Sequence, residues 1–414
     1  MSSIIEEVTA RILFNSRGQE TIEVDVITSD GFGSAAAPAG ASTGKAEVVS
    51  YSEGGVNSSI KKLEELVIPE LIGMDAEEQN EIDGLLHEID GTYNFSNIGG
   101  NTAFAVSLAN AEAASTSYNL PLFQFLSGYL GNNLPFPLGN VLGGGKHALG
   151  KTTDIQEFLV LPLNASSFIE AAKANVMAHQ KIGALLRKAD PNFTGGKGDE
   201  GAWAPNIENE AALKIVAQAC EDVSEEIGIE CRPCLDIAAS SFWDPKESVY
   251  VYSMEKIKRD PGEQLEFVKY LIEEYNLAYV EDPFDEDDFE SFSELTRQVD
   301  NCLICGDDLF VTNSERLGRG IELCAGNSLI IKTNQVGTLS DTWETTKLAK
   351  MAGYVPVMSH RSGETTDTHI AHLAVGFSCP IIKTGVMNGE RVAKINELIR
   401  IEENLGNRAQ MSIL

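Results

Sequence analysis

Six polar residues each close a short apolar run: Asp236 in CLDIA, Glu281 in AYVEDPF, Asp307 in LICGDDL, Lys332 in LIIKTNQ, His360 in VPVMSHRSGE and Lys383 in CPIIKTG. A charge at the end of a buried run is costly unless it is paired or used. Asp236, Glu281 and Asp307 are hard oxygen donors, and three such ligands suit an octahedral Mg²⁺ that keeps positions open for water and substrate oxygens. Lys332 and Lys383, beside such a cation and each other, would have their charged forms disfavoured, so that one could act as a base. Arg361 and Ser362, directly after His360, could grip a phosphate or carboxylate. Taken singly, each residue reads as well as a helix cap or an ion-pair partner; six in one register argue for a shared site.

The spacing says what must position them. After a first gap of 45 residues the intervals are 26, 25, 28 and 23, each holding a helix-like stretch such as 338–352 or 388–402. That is the length of a strand, a helix and two loops. Repeated strand–helix units predict a parallel sheet, and if it closes into a barrel the carboxyl ends of its strands share one mouth. Leu329-Ile330-Ile331 has the three large apolar residues of a strand buried on both faces.

Upstream, 155–161 predicts a strand carrying Gln156 and Glu157. Helices are predicted over 167–189 and 209–228, with the glycine-rich run Gly195–Gly201 and its Glu200 between them. Residues 4–13, 20–29 and 32–37 predict an antiparallel meander, followed by helices over 56–67, 74–90, 101–118 and 121–130. The pattern changes at Leu134-Pro135-Phe136-Pro137, which divides the chain into 1–133 and 134–414.

Composition narrows the function. A chain of 414 residues with 43% hydrophobic content is ordered and globular, and 62 acidic against 31 basic residues give a formal charge of −31. Such a surface repels nucleic-acid backbones and anionic lipid. No run approaches a membrane span and the first residues lack a signal-peptide pattern, so a cytoplasmic location is expected. Seven cysteines show no disulfide framework; Cys231-x-x-Cys234 and Cys302-x-x-Cys305 border or lie within predicted strands, where positions three apart face opposite sides, and read as reduced core thiols. Pro38–Lys45 is one residue short of a P-loop and has Ala46 where Ser or Thr is required. His369-x-x-His372 reads as helix surface or packing, and Trp203, Trp243 and Trp343 as packing.

The motifs, taken in order, resemble the enolase family over essentially the full length: SRG at 16–18, TIEVDV at 21–26, GASTG at 40–44, GGGKHA at 143–148, QEF at 156–158, GDEG at 198–201, LDIAAS at 235–240, EDPF at 281–284, GDDL at 306–309, IIKTNQVGTLSD at 330–341, SHRSGET at 359–365 and IIKTG at 381–385. The resemblance implies an N-terminal α+β cap on a modified eightfold α/β barrel of the TIM type. It implies Mg²⁺-dependent dehydration of 2-phosphoglycerate to phosphoenolpyruvate in glycolysis. Lys332 would remove the C2 proton, and Glu200 would protonate the leaving hydroxyl with Glu157 assisting. Asp236, Glu281 and Asp307 would hold one Mg²⁺, and Ser42 would help hold a second that arrives with substrate. His147, Gln156, His360, Arg361, Ser362 and Lys383 match substrate-binding or supporting positions. A dimer or a ring of dimers is implied, and the resemblance alone admits a cell-surface or secreted pool. Two rival readings are a sugar-acid dehydratase on the same fold and a non-catalytic scaffold. The Ser42 loop with Arg361-Ser362 speaks against the first, and the presence of Lys332 and Glu200 against the second. Departures from the family pattern fall at Asn15, Ala39, Ser241 and Met387–Gly389.

Overall fold

A computed structural model describes residues 2–41, 44–128, 131–148, 150 and 152–414. Its N-terminal part is built on three antiparallel strands, β1 (Ile5–Phe14), β2 (Glu20–Thr28) and β3 (Phe32–Ala36). Alternation along β2 turns Ile22, Val24 and Val26 inward, none of them exposed to solvent. The helix Gly100–Ser117 covers that face. It approaches closely because the sheet offers glycine: a Cβ on Gly33 would stand 2.0 Å from the Ala109 carbonyl oxygen. The predicted helix over 56–67 becomes Gly55–Lys62 followed by a π-turn at Leu63–Val67, and that over 74–90 begins only at Gln79. The fourth ends at Ser127 among the described residues.

Eight further strands close a barrel: β4 (Phe136–Gly143), β5 (Glu157–Pro162), β6 (Cys231–Asp236), β7 (Tyr279–Glu281), β8 (Leu303–Gly306), β9 (Ser328–Ile331), β10 (Val355–Ser359) and β11 (Ile381–Gly385). The order around the barrel is β7-β8-β9-β10-β11-β4-β5-β6. Strands β6 to β11 and β4 run parallel, and β5 is antiparallel to both neighbours. Two helices, Phe168–Ala189 and Asn209–Ile227, follow β5 before regular alternation begins.

Period-two alternation then layers the barrel interior. Leu138, Leu159, Cys234, Tyr279, Cys305, Ile330, Val357 and Ile381 share one buried apolar cluster, one residue from each strand. Two residues nearer the mouth, on the same strands or one residue past their ends, stand Asn140, Glu157, Asp236, Glu281, Asp307, Lys332, Ser359 and Lys383. The apolar layer is a packed floor, as in barrels generally, and the polar layer above it cannot sink further without losing its partners. Because β5 is reversed, its polar residue sits at its start: Glu157 pairs in register with Asp236 at the end of β6.

Candidate active site

The polar layer floors a narrow cleft whose walls are almost wholly polar side chains. Lys383 stands at its centre, 3% exposed, and its ammonium donates to Asp236 Oδ2 and to both Glu281 oxygens, each at 2.8 Å. Glu157 Oε2 lies 3.5 Å away. Beneath it, Tyr279 donates to Glu281 Oε2 at 2.6 Å. On the next wall Lys332 pairs with Asp307 Oδ2, while Gln335 donates to Asp307 Oδ1 at 3.1 Å. Asp282 accepts the backbone N–H groups of Asp307 and Asp308, at 2.9 and 2.8 Å, and so orients the Asp307 turn. Gln156 donates to Asp236 at 3.2 Å.

On the opposite side, Glu200 is carried by the 195–203 run over β4. Asn140 donates to its Oε2 at 2.9 Å, and His360 Nε2 stands 3.2 Å from the same oxygen. His147 Nδ1 lies between the two glutamates, 3.3 Å from Glu157 and 3.7 Å from Glu200. Arg361 is buried and reaches into the cap, donating to Glu47 at 3.1 and 3.2 Å and to Asn334 at 2.8 Å. Among the described residues Ser362 Oγ is buried with no hydrogen-bond partner, while His360 Nε2, His147 Nδ1 and Glu157 Oε2 meet only the ionisable neighbours just named, at 3.2 Å or more. A buried hydroxyl is rarely left so, and one that faces a cleft of crowded charges calls for a polar ligand.

The electrostatics follow from crowding. Burial, then the Asp236 charge, pushes the Glu281 carboxyl well above its ordinary value. Burial and the Glu200 charge raise Glu157. Burial also opposes the charge on Glu200, but the two imidazoles and Arg391 outweigh it and draw Glu200 well down. Burial depresses His360 to about 4 against the pull of Glu200, so it is a neutral ring that meets Glu200 through an N–H dipole. The two glutamates therefore titrate as a pair with the proton favouring Glu157. Lys332 departs from expectation: burial disfavours its charge, but Asp307 outweighs burial and holds it as an ammonium. The expected neutral amine presupposed a divalent cation claiming Asp307.

Metal donors can be traced in the same way. Among the described residues, the trios His147, Glu157, Glu200 and Asp282, Asp307, Asp308 bring donor atoms within 4.8 Å of one another. Asp236, Glu281 and Asp307 reach the same mouth but are spanned by lysine ammoniums rather than gathered directly. Their chemistry, three buried carboxylates facing two amines, fits a hard divalent cation. Ser42 lies outside the described residues. His369 and His372 are turned away from the cleft, toward Asp367 and Glu397. The cysteine pairs stay free and buried, as expected.

Sequence reasoning missed Asn140, Ser359, Glu47, Asn334 and Arg391. The first two carry a usable signal, since counting two residues on from Leu138 and Val357 reaches them. Of the family departures, Asn15 keeps its turn closed, accepting from Arg17 N at 2.9 Å and Gln19 N at 3.1 Å. The turn docks on the site loop: Ser16 N donates to the Glu364 carbonyl at 2.7 Å.

Comparison with known proteins agrees with this geometry. A family model described as "Enolase, C-terminal TIM barrel domain" matches residues 131–412, and one described as "Enolase, N-terminal domain" matches 5–126. An enolase of Methanosphaera stadtmanae is 58% identical over 408 residues, covering 98% of this chain and 99% of its own. One of Methanothermobacter thermautotrophicus is 57% identical over 98% of each chain, and one of Pyrobaculum aerophilum 47% identical over 99% of this chain and 98% of its own. With both family models filled in order along one chain, and the polar layer of the barrel complete, this protein belongs to the enolase family.

Proposed function

We propose that the chain catalyses the Mg²⁺-dependent, reversible dehydration of 2-phospho-D-glycerate to phosphoenolpyruvate and water, a step of glycolysis and gluconeogenesis. The observation that carries this reading is a base and an acid on separate walls of one cleft, Lys332 after β9 and Glu200 over β4, three strands apart around the mouth. Elimination needs that separation, because the proton and the hydroxyl leave from different carbons. With Asp307 taken up by a cation, Lys332 would be free to shed its proton and, as the neutral amine, take the proton from C2. Glu157 and Glu200, sharing one proton beside His147, supply it to the departing hydroxyl. Lys383 faces the substrate carboxylate, and Arg361 with Ser362 faces the phosphate. His360 and Gln156 orient the groups around them.

Asp236, Glu281 and Asp307 would hold one Mg²⁺ and Ser42 would contribute to a second that binds with substrate; so placed, the ions offset the negative charge that builds on the carboxylate as the proton leaves. We also place the domain boundary between 133 and 134, and expect a cytoplasmic homo-oligomer, a dimer or a ring of dimers. No helix among the described residues is long and apolar enough to cross a membrane.

The test is direct. Supplied with 2-phosphoglycerate, the purified protein should form phosphoenolpyruvate, seen by its ultraviolet absorbance, with Mg²⁺ and not with a chelator. Absence of product with Mg²⁺, from folded protein, would refute the reading.

A further inference from the structure

Arg391 has no assigned part in the reaction, yet its placement is hard to account for by packing. It lies in the first turn of the helix Gly389–Leu405, where the helix dipole disfavours a cation, and it is fully buried. A buried guanidinium is tolerated only if its donors are met. Nη1 donates to His360 Nδ1 at 2.8 Å and to the Arg361 carbonyl at 2.5 Å, and Nη2 donates to the Ser362 carbonyl at 2.6 Å. Nε makes no hydrogen bond among the described residues and has only the Glu390 charge beside it, Oε1 at 3.4 Å. Among the described residues every bond from the terminal nitrogens therefore goes to the run 360–362, which follows β10 and has no helix or strand of its own.

The first of these bonds fixes more than position. A guanidinium can only donate, so the ring nitrogen that faces it must offer a lone pair. Gly385 N points at the same Nδ1, at 3.4 Å. With Nδ1 thus committed as acceptor, the ring proton is on Nε2, the nitrogen 3.2 Å from Glu200.

We propose that Arg391 is a positioning residue that locks His360 in the tautomer carrying its proton on Nε2 and holds the Arg361 and Ser362 backbone over the cleft. Its kinetic consequence rests on the enolase reading; the tautomer does not. His360 then presents Glu200 with a donor, never a lone pair, which keeps the Glu200 carboxylate aimed. Arg361 and Ser362 keep their side chains toward the cleft because one rigid fork grips both carbonyls.

The experiment is ¹⁵N spectroscopy of histidine-labelled protein, with His360→Gln used to assign the ring. The expected result is a neutral ring with unprotonated Nδ1 between about pH 6 and pH 9. Arg391→Lys keeps the charge and loses the fork; it should bring in the other tautomer and lower kcat about tenfold or more. Placed in the His360→Gln background, it should cost less than it does alone, since the tautomer is already lost and only the grip on the Arg361 and Ser362 carbonyls remains to be lost. A proton on Nδ1 in the unsubstituted protein overturns the proposal, as does Arg391→Lys with unchanged tautomer and kcat. If the variant does not fold, the spectrum of the unsubstituted protein alone decides. A protein with the expected tautomer that does not turn over 2-phosphoglycerate would overturn the functional reading and leave the tautomer standing.

Discussion

Lys332 and Asp307 form a pair whose partners have separate uses, and that makes the pair informative. The lysine is the proposed base and the aspartate a proposed metal ligand, so the ammonium and the cation compete for one carboxylate. Lys332→Ala removes base and competitor together. Turnover should fall by about 10²-fold or more, the usual scale for losing a general base. Thermal unfolding should nevertheless respond to Mg²⁺ at least as strongly as before, because a cation that binds only the folded state stabilises it by mass action. A variant that keeps its turnover would remove the base assignment, and one that loses its Mg²⁺ response would remove Asp307 from the ligand set. At this scale much was legible. Charges ending apolar runs marked Asp236, Glu281, Asp307, Lys332 and Lys383, since burial makes an unused charge expensive wherever it falls. The count slipped on β10, where the run ends in His360 but the inward-facing member is Ser359. Glu47 carried no signal, because its partner Arg361 is 314 residues away and pairing at that range leaves no local pattern.

Among the elements, the 195–203 run depends most on a single anchor. It has little regular structure, and Glu200 stands on it. Trp203 ties it down: the backbone bonds to β4 at Val141 and Gly143, and the indole N–H donates to the His179 carbonyl at 2.8 Å. The ring stacks on His179 with centroids 4.7 Å apart, and Lys197 lies 4.9 Å and Arg187 5.6 Å from its centre. Gly183 leaves the room, since a Cβ there would come within 2.6 Å of the ring. Trp203→Ala should cost about 3–5 kcal/mol of stability and lower kcat through a loosened Glu200, whereas Trp203→Phe should keep most of both. Equal unfolding midpoints and kcat for Trp203→Ala and the parent would refute the anchor. The sequence showed a tryptophan without a stacking pattern, because its partners come from a helix and from its own loop at irregular spacing. The reversal of β5 was hidden for a related reason. Strand direction is set by which neighbours pair, and the apolar alternation reads the same both ways. The parallel units from Asp236 onward were legible because each repeats a strand, a helix and two loops at nearly constant length.

Across the whole molecule, the cap contributes Glu47, and by proposal Ser42, to a site floored by the barrel, so activity depends on the seam between them. Three of the six histidines lie along that seam. His87 on a cap helix meets Asp341 of the barrel at 2.8 Å, the Phe123 backbone N–H of the cap donates to His372 at 3.4 Å, and His369 of the barrel stands 3.3 Å from Glu112 of the cap while pairing with Asp367. His369 is the most perturbed. Burial disfavours its charge, but Asp367 and Glu112 outweigh burial and raise it to about 10. Burial likewise opposes ionisation of Asp367, yet His369 draws it down to about 2. A raised histidine stabilises fully below its unfolded value, about 6.5, and that contribution fades as pH climbs toward about 10. The depressed aspartate works the other way, its contribution present above about 3.8 and lost as pH falls toward about 2. Across the alkaline window His369 alone should account for up to about 1.4 kcal/mol of stability per pH unit. His369→Asn should therefore unfold earlier than the parent at neutral pH, by about 3 kcal/mol for a broken buried pair. The gap should close as pH approaches 10, since deprotonation does to the parent what the substitution does to the variant. Thermal unfolding of both proteins from pH 6 to pH 10 measures this, and two curves that stay parallel throughout would show that the seam does not depend on a charged His369.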